Sequence, residues 1–90
     1  MAKIKFTSAL KTFFPNLTDL ELQGGSVREL LDQIEVRFPG IQNYITDDTG
    51  SLRKHVNIFL QGDLIKDRNS LTDTVKGNDE VIIFQALSGG

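Results

Sequence analysis

Ninety residues, 39% of them hydrophobic and 24% charged, bound one small globular domain that buries about 60% of its unfolded surface and has no room for a second lobe or a large cavity. A net charge of −2 with the basic residues scattered among acids argues against nucleic acid as a primary partner, and the longest apolar run, Val81 to Phe84, falls far below the ~18 residues of a membrane span. The absence of cysteine excludes disulfide scaffolds, cysteine-based zinc sites, iron–sulfur clusters and thiol nucleophiles. Because the N-terminus alternates instead of forming an apolar block, no secretory signal is expected, and the cytoplasm is the expected compartment.

Residues Lys3 to Thr7 alternate polar and apolar, the signature of a strand that buries Ile4 and Phe6 on one face. Lys11 to Asn16 reads as a connection, since Pro15-Asn16 favours a turn and Phe13-Phe14 shows no sustained period; the two phenylalanines are expected to close the end of a core. Thr18 to Gln23 alternates again, with Leu20 and Leu22 inward. After Gly24-Gly25, the sequence Ser26-Val27-Arg28-Glu29 has the spacing of a capping box, in which the serine and glutamate satisfy backbone donors at a helix start. Val27, Leu30, Leu31, Ile34 and Phe38 then form one apolar stripe, predicting a helix over about 26–38 that ends at Pro39-Gly40.

A long connection follows from Ile41 to Arg53, tacked to the core by Ile41, Tyr44 and Ile45. Its Asp47-Asp48-Thr49-Gly50 reads as a turn, because the alternating oxygen ligands of a metal loop are missing. His55 to Leu60 alternates, with Val56, Ile58 and Leu60 on one side and Asn57 and Phe59 on the other. Gln61-Gly62-Asp63 suits a tight turn into a short return segment, Leu64-Ile65. Leu71 and Val75, four apart, predict one anchored helical turn within Ser70 to Val75, and Gly77-Asn78-Asp79 turns the chain into a last strand, Glu80 to Ala86.

This order of strands around one helix predicts an α+β fold of β-grasp type, a mixed four- to five-stranded sheet packed on a single main helix. Residues 1–86 form the domain and 87–90 a Gly-Gly tail. If Val81 and Ile83 face the helix, then Ile82 and Phe84 face outward, and Phe59 joins them when the third and last strands are neighbours. Three large apolar side chains on an open face suggest a docking patch for a partner; the competing reading is a plain cross-strand pair of Phe59 and Ile82. The ending Leu87-Ser88-Gly89-Gly90 carries the strongest functional signal. Glycine lacks Cβ and passes through slots too narrow for other residues, so a terminal pair presents an unhindered carboxylate, and at average glycine usage such a pair is roughly a one-in-200 coincidence. A frayed polar tail is the bland alternative.

Two stretches, Gly77 to Gly90 and His55-Val56-Asn57-Ile58-Phe59-Leu60-Gln61-Gly62, carry a resemblance across essentially the whole chain. The chain resembles the ubiquitin-like sulfur carriers, the family that includes the small subunit of molybdopterin synthase and the thiamine and cysteine biosynthetic carriers. Its long connection before His55 is similar to that of the cysteine-synthesis type, and a proline common in the family's tail strand is replaced by Gln85. The resemblance implies that Gly90 is adenylated by a ubiquitin-activating-like enzyme using ATP and then converted by a sulfur donor to a thiocarboxylate. An acceptor synthase, or the large subunit of molybdopterin synthase, would receive the sulfur. Leu87, Ser88 and Gly89 would thread the partner's active site, and the carrier itself would bind no cofactor and catalyse nothing. Four extended residues reach about 13 Å, and with no cysteine in the chain no side-chain thiol competes for the sulfur.

Other chemistry finds little support in the residues. His55, the single histidine, has no serine or cysteine motif beside it and reads as a strand-start surface residue. The carboxylates are scattered over turns and polar faces without an acid/base pair, no metal site is expected, and Gly24-Gly25 lacks the rest of a phosphate loop. Two non-enzyme alternatives remain open: a protein modifier joined through Gly90 to lysines, and a passive interaction domain with an incidental ending.

Overall fold

The buried–exposed alternation of Ala2–Phe6 makes it the first strand, β1, and the computed structural model describes residues 1–85 of the chain. There follow α1 (Ser8–Phe13), β2 (Leu20–Leu22), α2 (Val27–Arg37), α3 (Gln42–Ile45), β3 (Val56–Leu60), β4 (Asp63–Leu64) and β5 (Glu80–Gln85). The five strands form one mixed sheet in the order β2-β1-β5-β3-β4. β1 and β5 run parallel at its centre, with Ile4 beside Val81 and Phe6 beside Ile83, while the remaining pairs are antiparallel. This is the expected β-grasp arrangement. The stripe Val27, Leu30, Leu31 and Ile34 of α2 is buried in one cluster with Ile4, Val56, Ile58, Val81 and Ile83 from one face of the sheet.

The start of α2 is capped as its sequence requires, with a shift of one residue. Ser26 Oγ accepts from the Glu29 N–H at 3.2 Å, and the Glu29 carboxylate reaches back to the N–H of Gly25 at 2.7 Å. At the other end Glu35 receives the N–H groups of Gly40 and Gln42, which holds the chain as it turns through Gly40 at φ +95°, a backbone region where glycine has no Cβ penalty. Between β3 and β4, Gln61 and Gly62 both have positive φ (52° and 86°), the two-residue type I′ hairpin geometry that matches strand twist.

Three local readings of the sequence are corrected. Ser8–Phe13, read partly as connection, is a helix of six residues with only Ala9 and Leu10 buried and no side-chain cap on Thr7. So short a helix carries no periodic signal and is held by burial of Leu10, not by its own propensity. The long connection likewise contains the single-turn helix α3, whose Ile45 is buried. Finally, Leu71 and Val75 are both buried but no helical turn joins them: Leu71 sits at φ +58°. The backbone here serves another element, since the first N–H groups of α2, on Val27 and Arg28, donate to the carbonyls of Asp73 and Leu71 and thereby satisfy donors that a helix start leaves unpaired. The turn before it is organised by Asp67, whose carboxylate accepts from the N–H groups of Asn69, Ser70 and Thr72 and from the Thr72 hydroxyl.

Two predictions follow from these local anchors. Ser26→Ala removes the cap and is expected to cost about 1 kcal/mol in urea or thermal unfolding; a change within error rejects the cap as a stabilising contact. The Thr72 hydroxyl, with the backbone N–H groups of Ser70, Thr72 and Asn69, lowers the Asp67 carboxyl from 3.8 to about 2. Folding therefore favours the charged form, a contribution present above pH 3.8 and lost as the pH falls toward 2. Asp67→Asn is expected to lower the unfolding midpoint at neutral pH and to flatten this acid limb, as read from urea midpoints across that window.

Candidate functional site

Outward-facing residues of four strands meet in one row across the open side of the sheet. Ile82 on β5 lies beside Lys5 on β1 and opposite Phe59 on β3, and Phe59 lies opposite Leu64 on β4. One step along β5, Phe84 faces Asn57. Partners in register share a face, so Phe59, Ile82 and Phe84 are brought together on the side away from α2, as their spacing predicts. Phe84 and Leu64 are 40% and 56% exposed, whereas Ile82 and Phe59 are half-buried, as expected when cross-strand neighbours cover one another. Phe59 and Ile82 are thus a cross-strand pair, in one row with Leu64.

Leu64 was not singled out from the sequence. The signal existed in the hairpin: a two-residue turn at Gln61-Gly62 pairs Leu60 with Asp63, and the next pair is then Phe59 with Leu64, on the outer face. The rim of the patch is polar. Lys5 Nζ stands 3.1 Å from Glu80 Oε2, both half-exposed, a surface pair of small energetic weight. Arg68 donates from Nη1 to Asn57 Oδ1 at 3.0 Å and from Nη2 to the Arg53 carbonyl at 2.8 Å, which seats a guanidinium beside the Phe84–Asn57 pair.

At the end of β5 the chain is held by side chains from other elements. The Gln85 N–H donates to Thr7 Oγ1 at 3.4 Å, and its amide Nε2 lies 3.4 Å from the Tyr44 carbonyl and 3.3 Å from His55 Nε2. Phe13 stacks on the Tyr44 ring at 4.7 Å and Phe14 meets it edge-on at 5.5 Å. Of the two phenylalanines expected to close the core, Phe14 packs against it, while Phe13 is 53% exposed. His55 is half-buried at the start of β3 and faces an amide, not a nucleophile.

The carboxylates with displaced acidity belong to turns. The hydroxyl and N–H of Thr49 hold Asp47 below its ordinary range, and Gly50, at φ +89°, closes the same turn onto the Asp47 carbonyl. Among the described residues no group of three or more histidine, aspartate or glutamate side chains is placed to hold a metal ion, and no helix is long and apolar enough to cross a membrane. Leu87, Ser88, Gly89 and Gly90, assigned to threading and attachment, lie outside the described residues, as does Ala86 at the expected end of the last strand.

Comparison with known proteins decides the family. The family model described as the ThiS family matches residues 4–90. The chain belongs to the ThiS family. Its members are small ubiquitin-like sulfur carriers and modifiers, and the match runs from β1 through the terminal glycines. No curated protein sequence matches the chain. Among solved structures, a chain of the Amycolatopsis orientalis BexX/CysO complex superposes with a TM-score of 0.84 at 23% identity over 100% of both chains. Mycobacterium tuberculosis CysO does so at 0.82 and 18% identity, over 97% of this chain and all of its own. The small archaeal modifier protein 1 of Methanosarcina acetivorans gives 0.76 at 26% identity, over 99% and 95% of the two chains.

Replacing Phe84 by aspartate tests whether the outer face is structurally free. Its side chain is exposed and opposite a polar Asn57, so Phe84→Asp is expected to shift the unfolding free energy by no more than about 1 kcal/mol. A loss of several kcal/mol would mean that the face is part of the core.

Proposed function

We propose that the protein is a sulfur carrier whose Gly90 carboxylate is activated by an adenylating enzyme and becomes a thiocarboxylate. The observation that carries this reading is the family match through Gly90. The chemistry is consistent with the chain's composition. A carboxylate is a poor electrophile at neutral pH. Attack of its oxygen on the α-phosphate of ATP releases pyrophosphate and leaves an acyl adenylate; hydrosulfide supplied by the donor then attacks the acyl carbon and displaces AMP, leaving the thiocarboxylate. The carrier supplies the carboxylate and a surface to be held by, and the partner supplies ATP and the catalytic groups. An ATP-dependent activation is consistent with a reaction in the cytoplasm.

The open sheet face supports docking of that partner. Ile82, Phe59, Phe84 and Leu64 form an apolar strip with a charged rim, the composition of a small protein-binding patch. The five residues after Gln85 span at most about 17 Å, so an enzyme seated on this face is within reach of Gly90, with Leu87, Ser88 and Gly89 lying in its channel. A chain of this fold held in a BexX/CysO complex supports delivery to an acceptor protein as well, and the two destinations we carry forward are cysteine-type and molybdopterin-type biosynthesis. A second reading, conjugation of Gly90 to lysines, is supported by the likeness to small archaeal modifier protein 1; it shares the activation step and differs only in the nucleophile that follows.

Incubation with ATP, a sulfur source and the host's activating enzyme is expected to give a mass gain equal to one oxygen exchanged for sulfur, located on Gly90 and absent when Gly90 is deleted. Lysine adducts without that gain favour the modifier, and neither product from an enzyme active on a control carrier rejects both. Phe84→Asp is expected to reduce kcat/KM for adenylation at least about tenfold, the equivalent of 1.4 kcal/mol of docking energy. Undiminished activation of a folded variant would remove the face from the interface.

A further inference from the structure

Gln85 breaks the pattern of its own strand. It has the parity of Val81 and Ile83, which are buried on the helix side of the sheet, yet it carries an amide. Polar groups in such positions need partners, and the amide finds them on two other elements: the Tyr44 carbonyl on α3 and the His55 ring at the head of β3. A primary amide nitrogen has two hydrogens, so Nε2 serves both acceptors, provided that His55 Nε2 bears a lone pair and the imidazole proton sits on Nδ1. The backbone N–H of the same residue donates to Thr7 Oγ1, and the Thr7 N–H in turn donates to the Ile83 carbonyl at 3.3 Å. The last described residue is therefore tied by both main chain and side chain. Gln85 Oε1 is buried with no partner among the described residues, a polar atom that an apolar side chain here would not have.

We infer that Gln85 is a positioning residue, clamped by His55, Tyr44 and Thr7, that sets the bearing on which the tail leaves the domain toward the activating enzyme. The inference rests on the proposed adenylation of Gly90. The direction of the backbone at Gln85 sets where the following residues start, and reacting groups must be closely aligned. Polar contacts suit this task because they are directional, whereas apolar packing at the same position would hold the side chain without fixing its orientation. The clamp lies on the helix side of β5 and the apolar strip on the other, so the two act separately: the strip governs docking and the clamp governs presentation of the carboxylate.

The test uses the full chain with the host's activating enzyme, ATP and labelled pyrophosphate, and measures exchange for wild type, Gln85→Leu, His55→Leu and the double variant. Leucine fills a similar volume and leaves the backbone bond to Thr7 in place. Gln85→Leu is expected to lower kcat about tenfold with KM within twofold of wild type, and the double variant to lose no more than the Gln85 change alone. Long-range ¹H–¹⁵N spectra of the His55 ring provide a readout independent of the enzyme: wild type should show the Nδ1–H tautomer, and Gln85→Leu a shift toward Nε2–H. Unchanged kcat in a folded Gln85→Leu protein, a loss confined to KM, or an Nε2–H tautomer in wild type each overturns the clamp. No exchange by wild type itself, with an enzyme active on a control carrier, instead overturns the adenylation reading on which the clamp depends.

Discussion

The parallel pairing of β1 with β5 at the centre of the sheet is the constraint on which the rest depends. It joins the two ends of the described chain, setting Lys3 beside Glu80 and Phe6 beside Ile83, so everything between must be accommodated as one long crossover. A parallel connection has to travel over a face of the sheet, and α2 is the element that does so. Its stripe meets the inner residues of β1, β3 and β5 in a single core. Among the described residues the opposite face is left without a covering helix, and the outer positions of β5 are partly exposed. Outer apolar row and core are thus two consequences of the same strand, separated by the alternation of Cβ directions.

Because β5 lies between β1 and β3, it is paired on both sides as far as Ile83 and on the β3 side as far as Gln85. The aromatic group of Phe13, Phe14 and Tyr44 gathers at the same end, where α1, α3 and the end of β5 converge. Loops elsewhere are stabilised differently. Asp67 and Asp47 each draw several local donors onto one carboxylate, the usual role of aspartate in turns, and Leu71 and Asp73 lend their carbonyls to the start of α2.

What could be read from the residues follows from the range of the interactions. Strand parity at Ile4, Ile58, Val81 and Ile83 and the stripe of α2 are patterns repeated over several residues, and repetition marks a buried face irrespective of what covers it. The same alternation placed Ile82, Phe84 and Phe59 on the outer face, and the hairpin at Gln61-Gly62 contained Leu64 as well. Elements of one or two turns were another matter. Ser8–Phe13 and Gln42–Ile45 are too short to repeat a pattern, and Leu71 and Val75 at helical spacing are buried with no helical turn between them. In each case tertiary burial of one or two side chains outweighs local preference.

By itself the sequence determined the elements with long periods, the side of each strand that is buried, and the Gly-Gly ending that carries the proposed chemistry, because these depend only on local covalent order and on the periods of strand and helix. Tertiary structure decided which strands are neighbours, and therefore that Phe59 meets Ile82, that Leu64 extends their row, and that Gln85 reaches His55 and Tyr44 across 30 and 41 residues. Contacts between positions so far apart leave no periodic trace; they exist only once the sheet order brings the strands side by side.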